Sequence, residues 1–227
     1  MVKKIKTTTT ITVTTEVVDQ KISIFVALDR SGSMSGTRWN NAIEALNSYV
    51  MSAQKDNLEG NITITAFDTV GHNTHNPNTY YNAPRFVDIV SNKPISMFVP
   101  ISPTTIQPEG GTPLYDASAF VMDKALASPG RSIVIILTDG EENESKEYNQ
   151  SSIRAKVEQV TKLGNEVIFL GANFDISTYR NQSGLNATKS ANFDLTSRSA
   201  TAQMVNSLYT ATASYTTAGT AMNVNSK

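Results

Sequence analysis

Two apolar runs, each followed by an aspartate, constrain the fold of this chain more than any other feature of its sequence. Residues 22–28 lead into Asp29, and residues 133–137 lead through Thr138 into Asp139. Apolar runs of this length next to turn residues are typical of strands that are buried on both faces of a sheet. Open α/β sheets bind their ligands beyond the carboxyl ends of such strands. The two aspartates therefore indicate a ligand site at one edge of a central sheet.

The rest of the chain alternates between helical and strand patterns. Apolar residues at helical spacing predict helices over residues 38–54 and 153–163, and a third helix with Thr112 as its N-cap and Pro113 at its first position. Shorter apolar runs predict further strands at 62–67, 87–90, 96–99 and 167–170. The alternation continues more faintly in the last third of the chain, at 176–179, 193–195 and 202–209. Strands alternating with helices predict an α/β fold with a doubly wound, mostly parallel central sheet flanked by helices.

We expect one domain over residues 20–215 with an extension at each end. Residues 1–19 are rich in Thr, and the alternation within residues 7–18 predicts a half-exposed strand or arm. The stretch of residues 211–227 is rich in Ala, Thr and Ser, which predicts a frayed end with a flexible tail over residues 216–227.

Composition narrows the classes of partner. The 227 residues carry a formal net charge of -1, with no basic cluster beyond the short start at Lys3, Lys4 and Lys6, which argues against nucleic acid as a partner. The absence of cysteine excludes disulfides, thiolate metal sites and cysteine nucleophiles. No apolar run is long enough to insert into a membrane, and the first residues do not form a Sec-type signal peptide. We therefore expect a soluble, cytoplasmic protein, with a component of a virion or another assembly as the alternative.

The loop after the first apolar run carries three oxygen-bearing side chains. Asp29, Ser31 and Ser33 alternate along it, so that their oxygens can converge on one point. Carboxylate and hydroxyl oxygens suit a hard divalent cation. Each of these residues is also common in ordinary turns and helix caps, so no one segment identifies a metal site by itself.

Three segments taken together resemble a von Willebrand factor type A domain with an intact metal-ion-dependent adhesion site. They are Asp-Arg-Ser-Gly-Ser at residues 29–33, Gly-Gly-Thr-Pro-Leu-Tyr-Asp-Ala at 110–117 and Leu-Thr-Asp-Gly-Glu-Glu-Asn at 137–143. The resemblance, which covers roughly residues 20 to 215, implies metal coordination by the hydroxyls of Ser31, Ser33 and Thr112. It further implies that Asp29 and Asp139 bind the metal directly or through water.

Such an oxygen-only set of ligands selects Mg²⁺, with Mn²⁺ as a close substitute. The leading hypothesis is therefore a metal-dependent protein-binding module, in which an Asp or Glu carboxylate of a protein partner completes the coordination sphere. One alternative is a structural subunit of a multiprotein or virion assembly, where the metal only stabilises loops. A metal-dependent hydrolase is less well supported, because no general base, nucleophile or second set of metal ligands is evident, and we expect a protein that is not an enzyme.

Other polar residues carry weaker predictions. His72 and His75 lie in a polar loop over residues 72–84 without a third nearby ligand, so surface residues are favoured over a zinc site. Glu141, Glu142 and Glu144 are expected to form a solvated acidic rim. Trp39 and Met34, next to the first segment, are expected to be packing residues.

Overall fold

The computed structural model of the protein describes residues 21–69, 84–173, 177–184, 189–219 and 221–225. The strand predicted within residues 7–18, His72 and His75, and all but the last residue of the loop at 72–84 lie outside these ranges. The predicted domain limits at residues 20 and 215 stay predictions.

The described part of the chain alternates strands and helices. The strands are β1 (Ile22–Asp29), β2 (Gly60–Thr69), β3 (Pro84–Pro94), β4 (Ser132–Thr138), β5 (Glu166–Ala172) and β6 (Ser190–Phe193). The helices are α1 (Thr37–Lys55), α2 (Leu114–Ala127), α3 (Gln150–Lys162), α4 (Ser177–Ser183) and α5 (Arg198–Ala218). Two single 3₁₀ turns, Gly32–Met34 and Ile95–Met97, follow β1 and β3.

The strands form one sheet in the order β3-β2-β1-β4-β5-β6. Strand β3 runs antiparallel to β2, and every other neighbouring pair is parallel. The first three strands therefore form one half of the sheet and the last three form the other, with β1 and β4 adjacent at the centre. The carboxyl ends of these two central strands lie side by side. This arrangement confirms the predicted α/β fold with a mostly parallel, doubly wound sheet.

The two faces of the sheet bury separate apolar clusters. Alternate residues of β1 point to opposite faces. Ile24, Val26 and Leu28 pack with α1 and α5, whereas Phe25 and Ala27 pack with α2, α3 and α4. Helices on both faces explain why the central strands are apolar along their whole length. None of the described helices is long and apolar enough to cross a membrane.

Two predicted elements differ from the structure. Residues 96–99 are not a strand, because Ile95–Met97 forms a 3₁₀ turn that buries Ile95 and Phe98 and leaves Met97 and Val99 exposed. This spacing of three does not match the alternation of a strand. Helix α2 begins at Leu114 with Pro113 as N-cap, so the predicted cap, Thr112, lies one residue before the observed one.

The prediction of a frayed segment from Ala211 onwards is wrong for the described residues. Helix α5 continues to Ala218. The hydroxyl oxygens of Thr212 and Tyr49 lie 2.9 Å apart in the core, and the Tyr215 hydroxyl donates to the Gly164 carbonyl. Met222 and Val224 are also buried, unlike residues of a flexible tail.

Candidate functional site

Asp29 ends β1 with a fully buried carboxylate. One oxygen accepts a hydrogen bond from the Ser31 backbone N–H at 2.7 Å, and the other accepts one from the Thr138 hydroxyl at 2.5 Å. Burial raises the pKa of Asp29 to about 6, although the hydrogen bonds from Thr138 and Ser31 oppose this effect. The nearby charge of Asp139 also contributes to this rise in the pKa of Asp29. A carboxylate held in this way is in an unfavourable environment for its negative charge unless a cation is close.

The loop after β1 brings two hydroxyls towards the end of β4. Ser31 is followed by the 3₁₀ turn Gly32–Met34, and the Ser31 and Ser33 hydroxyl oxygens lie 3.0 Å apart. The Ser33 hydroxyl donates to Oδ1 of Asp139 at 2.7 Å. The structure therefore brings together side chains that are separated by 106 positions in the sequence.

Thr112 reaches the same place from the loop before α2. Its backbone N–H donates to the Asn143 side chain at 2.8 Å, and its carbonyl accepts from the Asn143 N–H. A methyl group added at Gly140 would lie 3.2 Å from the Thr112 hydroxyl oxygen and 3.7 Å from that of Ser33. The two hydroxyls therefore border one small space beside Gly140.

The loop before Thr112 is fixed by backbone contacts to two strand ends. The Gly32 N–H donates to the Gly110 carbonyl, and the Glu109 N–H donates to the Arg30 carbonyl. Gly110 has a φ of +67°, and a Cβ there would lie 2.3 Å from the Thr69 carbonyl oxygen, so only glycine fits this close approach to β2. These contacts position Thr112 next to the loop that follows β1.

The distances between these oxygens fit a small divalent cation. Adjacent ligands of an octahedral ion with bonds of about 2.0 to 2.1 Å lie about 2.8 to 3.0 Å apart. The two observed separations, from the Ser33 oxygen to those of Ser31 and Asp139, are 3.0 and 2.7 Å. No group of three or more His, Cys, Asp or Glu side chains is placed to hold a metal within the described ranges. A cation at this edge would therefore depend on hydroxyl ligands as well as carboxylates.

Arg38 is a neighbour of this cluster that sequence reasoning missed. Its Nη1 donates to Oδ2 of Asp139 and to the Ser33 carbonyl, both at 3.0 Å. The contact with Asp139 spans 101 positions, and Arg38 belongs to the predicted helix α1 without any local sign of such a role. Only the three-dimensional structure could identify it.

Asp116 and Glu142 fix the loop that carries Asn143. The Asp116 carboxylate accepts hydrogen bonds from three successive backbone N–H groups, at 2.7 to 3.1 Å, in residues 146–148. Glu142 accepts from the Tyr115 N–H at 2.8 Å. Glu142 is therefore a structural residue as well as part of the predicted acidic rim, to which the exposed Glu141 also belongs.

A second charged cluster lies beside the site. Asp68 is fully buried and pairs with Arg30, whose side chain is 6% exposed, and with Arg85 at 2.7 Å. Glu109 also pairs with Arg85, which lowers the pKa of that carboxyl. Two cations and two carboxylates balance each other, so this cluster adds little net charge to the site.

Trp39 and Met34 are both buried, which confirms that they are packing residues. The Trp39 indole N–H also donates to the Pro103 carbonyl at 2.8 Å. This contact attaches the beginning of α1 to the segment that precedes Gly110 and Thr112.

Comparison with known proteins identifies the fold family. Residues 23–207 match the von Willebrand factor type A domain. No curated protein matches the sequence. Among solved structures, the chain is similar to the pilus adhesin SpaC from Lactobacillus rhamnosus GG in its open conformation, with 15% identity and a TM-score of 0.63 over 86% of this chain and 30% of the adhesin.

Two further structures have the same fold. Proximal thread matrix protein 1 from the mussel byssus is 14% identical, with a TM-score of 0.57 over 84% of this chain and 45% of that protein. The minor pilin PilB from Streptococcus sanguinis is 12% identical, with a TM-score of 0.55 over 87% of this chain and 62% of the pilin. The chain spans less than two thirds of each protein, and none of the three supports the prediction of a cytoplasmic location.

The match over residues 23–207, together with the order of the six strands, establishes the family. The chain belongs to the von Willebrand factor type A domain family.

Proposed function

We propose that this chain is a protein-binding module that depends on a divalent metal, Mg²⁺ or Mn²⁺, and binds an Asp or Glu carboxylate of a protein partner. The observation that carries the proposal is the convergence of the Ser31, Ser33 and Asp139 oxygens, with neighbouring oxygens 2.7 and 3.0 Å apart, at the carboxyl edge of the sheet. These residues lie at or just after the ends of the central strands β1 and β4, so the packing of the sheet holds their oxygens in place.

Five residues would hold the ion. The hydroxyls of Ser31, Ser33 and Thr112 would supply neutral oxygens, and Asp29 and Asp139 would supply the negative charge. When bound, the ion acts as an electrophile that accepts one further anionic oxygen. The protein's own contribution is to hold the hydroxyls in place through the loop contacts of Gly32 and Asn143.

A binding role is supported more directly than an enzymatic one. The proteins of similar fold include a pilus adhesin and a minor pilin, so this fold occurs in proteins of that kind. The carboxylates next to the site also have structural tasks: Asp116 binds three backbone N–H groups, and Asp68 pairs with two arginines. A carboxylate engaged in this way is poorly placed to act as a general base.

A role in an assembly is the second candidate. A minor pilin and a thread matrix protein are among the proteins of similar fold, which makes a structural subunit reasonable. In that case the metal would stabilise the loops without contacting a partner.

Calorimetry with Mg²⁺ and Mn²⁺ tests the site. The double variant Ser31→Ala with Ser33→Ala, and Thr112→Ala separately, should lose metal binding and keep the circular dichroism spectrum of the parent. A matched control is Ser102→Ala with Thr104→Ala, since these hydroxyls also lie two positions apart and 2.8 Å from each other, in exposed residues that are not proposed ligands. Unchanged metal affinity in the site variants would show that the assignment is wrong.

Capture of partners from a native extract, with and without chelator, separates the two roles. A partner that is retained only with Mg²⁺, and is lost with the Thr112→Ala variant, supports binding through the metal. Retention that does not change with chelator supports the structural role instead.

A further inference from the structure

We infer that Arg38 is a second anion-binding group at this site, which binds the other oxygen of the partner carboxylate. This inference rests on the proposed function, because it assumes that a carboxylate approaches the metal. It adds a residue that selects carboxylates over neutral oxygen ligands.

Arg38 lies where a second contact with the same carboxylate is possible. It belongs to the first turn of α1, and its Nη1 is 3.0 Å from Oδ2 of Asp139. The other oxygen of Asp139 is 2.7 Å from the Ser33 hydroxyl. Arg38 thus contacts one of the proposed ligands directly, and a partner's carboxylate that binds the ion would approach the same guanidinium.

The guanidinium of Arg38 also has donors to spare. Both of its hydrogen bonds use Nη1, and Nη2 and Nε make none with the part of the chain that the structure describes. An arginine has five N–H donors in a planar fork, which suits binding of a carboxylate. The side chain is 37% exposed, so a partner can approach these donors.

Arg30 provides a contrast within the same region. Its side chain is only 6% exposed, and it is paired with the buried Asp68. Arg30 therefore neutralises a buried carboxylate, whereas Arg38 is accessible to solvent and contacts a proposed metal ligand.

The charges of the site support the same assignment. Asp29 and Asp139 would balance the two charges of the ion, and Arg38 would place a further positive charge beside it, whereas Glu141, Glu142 and Glu144 of the acidic rim follow Asp139 in the chain. A cationic donor next to the ion attracts an anionic group locally and favours it over a neutral amide or hydroxyl. A lysine would keep the charge but lose the planar fork.

A competing explanation is that Arg38 only orients Asp139. In that case its removal would weaken metal binding, and the metal-loaded protein would bind carboxylates as before. The two explanations therefore differ in which of two measured affinities changes.

The experiment uses Mn²⁺ as the metal and acetate as the carboxylate probe. Electron paramagnetic resonance of free Mn²⁺ gives the metal affinity, and water-proton relaxation of the Mn²⁺-loaded protein gives the acetate affinity, with acetate replacing chloride at constant ionic strength. The variants are Arg38→Gln and Arg38→Lys, with Arg198→Gln as the control. Arg198 is an exposed arginine of α5 that pairs with Glu44, so its replacement removes the same charge without contacting Asp139.

We expect Arg38→Gln to weaken acetate binding by about fivefold to tenfold while Mn²⁺ affinity changes by less than about threefold, because one exposed charge-assisted contact is lost. Arg38→Lys should retain part of the acetate affinity, and Arg198→Gln all of it. Acetate affinity that is unchanged in both Arg38 variants overturns the inference and leaves the metal-binding module intact. Failure of the parent protein to bind Mn²⁺ overturns the proposed function, and the role of Arg38 with it.

Discussion

Replacement of Asp29 by asparagine should stabilise the metal-free protein at neutral pH and abolish its stabilisation by Mg²⁺. The Asp29 carboxylate is completely buried, and burial raises its pKa from the usual 3.8 to about 6. A rise of this size corresponds to a cost of about 3 kcal/mol for the folded protein when Asp29 is ionised. The amide has the same shape and carries no charge, so this cost disappears.

The local hydrogen bonds allow the exchange. The amide oxygen can still accept from the Ser31 N–H, while the amide NH₂ faces the Thr138 hydroxyl. Thr138 can then accept this hydrogen bond and donate its own proton to the Gly140 carbonyl, which is 3.1 Å away. The pKa of about 6 already includes the charged hydrogen bonds from Ser31 and Thr138, so only the poorer fit of the amide NH₂ beside the Thr138 hydroxyl offsets the gain, by about 1 kcal/mol. We therefore expect a net gain of about 2 kcal/mol, or about 4 to 8 °C in melting temperature for a chain of this size.

The pH dependence of the free energy of unfolding shows whether ionised Asp29 destabilises the metal-free protein. Because the folded-state pKa of Asp29 is raised, the folded metal-free protein binds more protons than the unfolded chain between about pH 4 and pH 6. The contribution of Asp29 to stability is present below this window and is lost as the pH rises through it. The asparagine variant has no carboxyl at this position, so its stability does not fall for this reason as the pH rises.

Urea unfolding in EDTA at pH 4, 5, 6 and 8 measures the difference, and a parallel series with Mg²⁺ measures the gain from the metal. Asp123→Asn is a suitable control, because Asp123 is half-exposed and its ion pair is with Lys156, which is not one of the proposed ligands. An asparagine variant at position 29 that is less stable than the parent in EDTA at pH 8, or that shows the same pH dependence, would refute the reasoning.

Three further predictions concern the surroundings of the site. Gly140→Ala should weaken Mg²⁺ binding at least tenfold in calorimetry, because the new methyl would lie 3.2 Å from a proposed ligand oxygen; Gly32→Ala, with its nearest contact at 3.6 Å, should have a smaller effect. Asp68→Ala should lower the free energy of unfolding by about 3 to 5 kcal/mol in urea titrations, since it leaves the buried Arg30 with only its longer contact, 3.5 Å, to the half-exposed Glu109. Asp116→Ala should lower the free energy of unfolding by about 2 to 3 kcal/mol. It should also speed hydrogen exchange of the backbone amides of residues 146–148, which donate to Asp116, and unchanged exchange there would contradict this role.

The sequence was sufficient to predict the central part of the fold. The apolar runs of β1 and β4 are unambiguous because both faces of each strand are covered by helices. Most of the proposed metal ligands are recognisable for a related reason, since they follow directly on these strands. Four of them, at positions 29, 31, 33 and 139, lie at or just after the ends of β1 and β4.

The remaining errors have local causes. Helix α5 was under-predicted because its Ala, Thr and Ser residues give weak amphipathic periodicity, and the helix depends on tertiary contacts such as that of Tyr215 with Gly164. Thr112 was assigned to a helix cap, since Thr before Pro is common there. In the structure, its backbone instead pairs with Asn143.

The contacts that surround the ligands were not predictable from the sequence. Arg38 meets Asp139 over 101 positions, and Asp116 meets the following loop over about 30. Neither residue differs in any local pattern from an ordinary helical residue. Such contacts depend on how the loops pack, which the periodicity of individual elements does not determine.

The position of the candidate site on β1 and β4 determines how the domain would bear mechanical load. Each of these strands is hydrogen-bonded to a neighbour on both sides, β1 to β2 and β4, and β4 to β1 and β5. A partner that pulls on the loops at the carboxyl ends of the two strands would direct the force along their length. The ladders of parallel hydrogen bonds would then be loaded together in shear, rather than broken one after another from an edge. A connection at this point would therefore resist tension better than one through the edge strands β3 or β6.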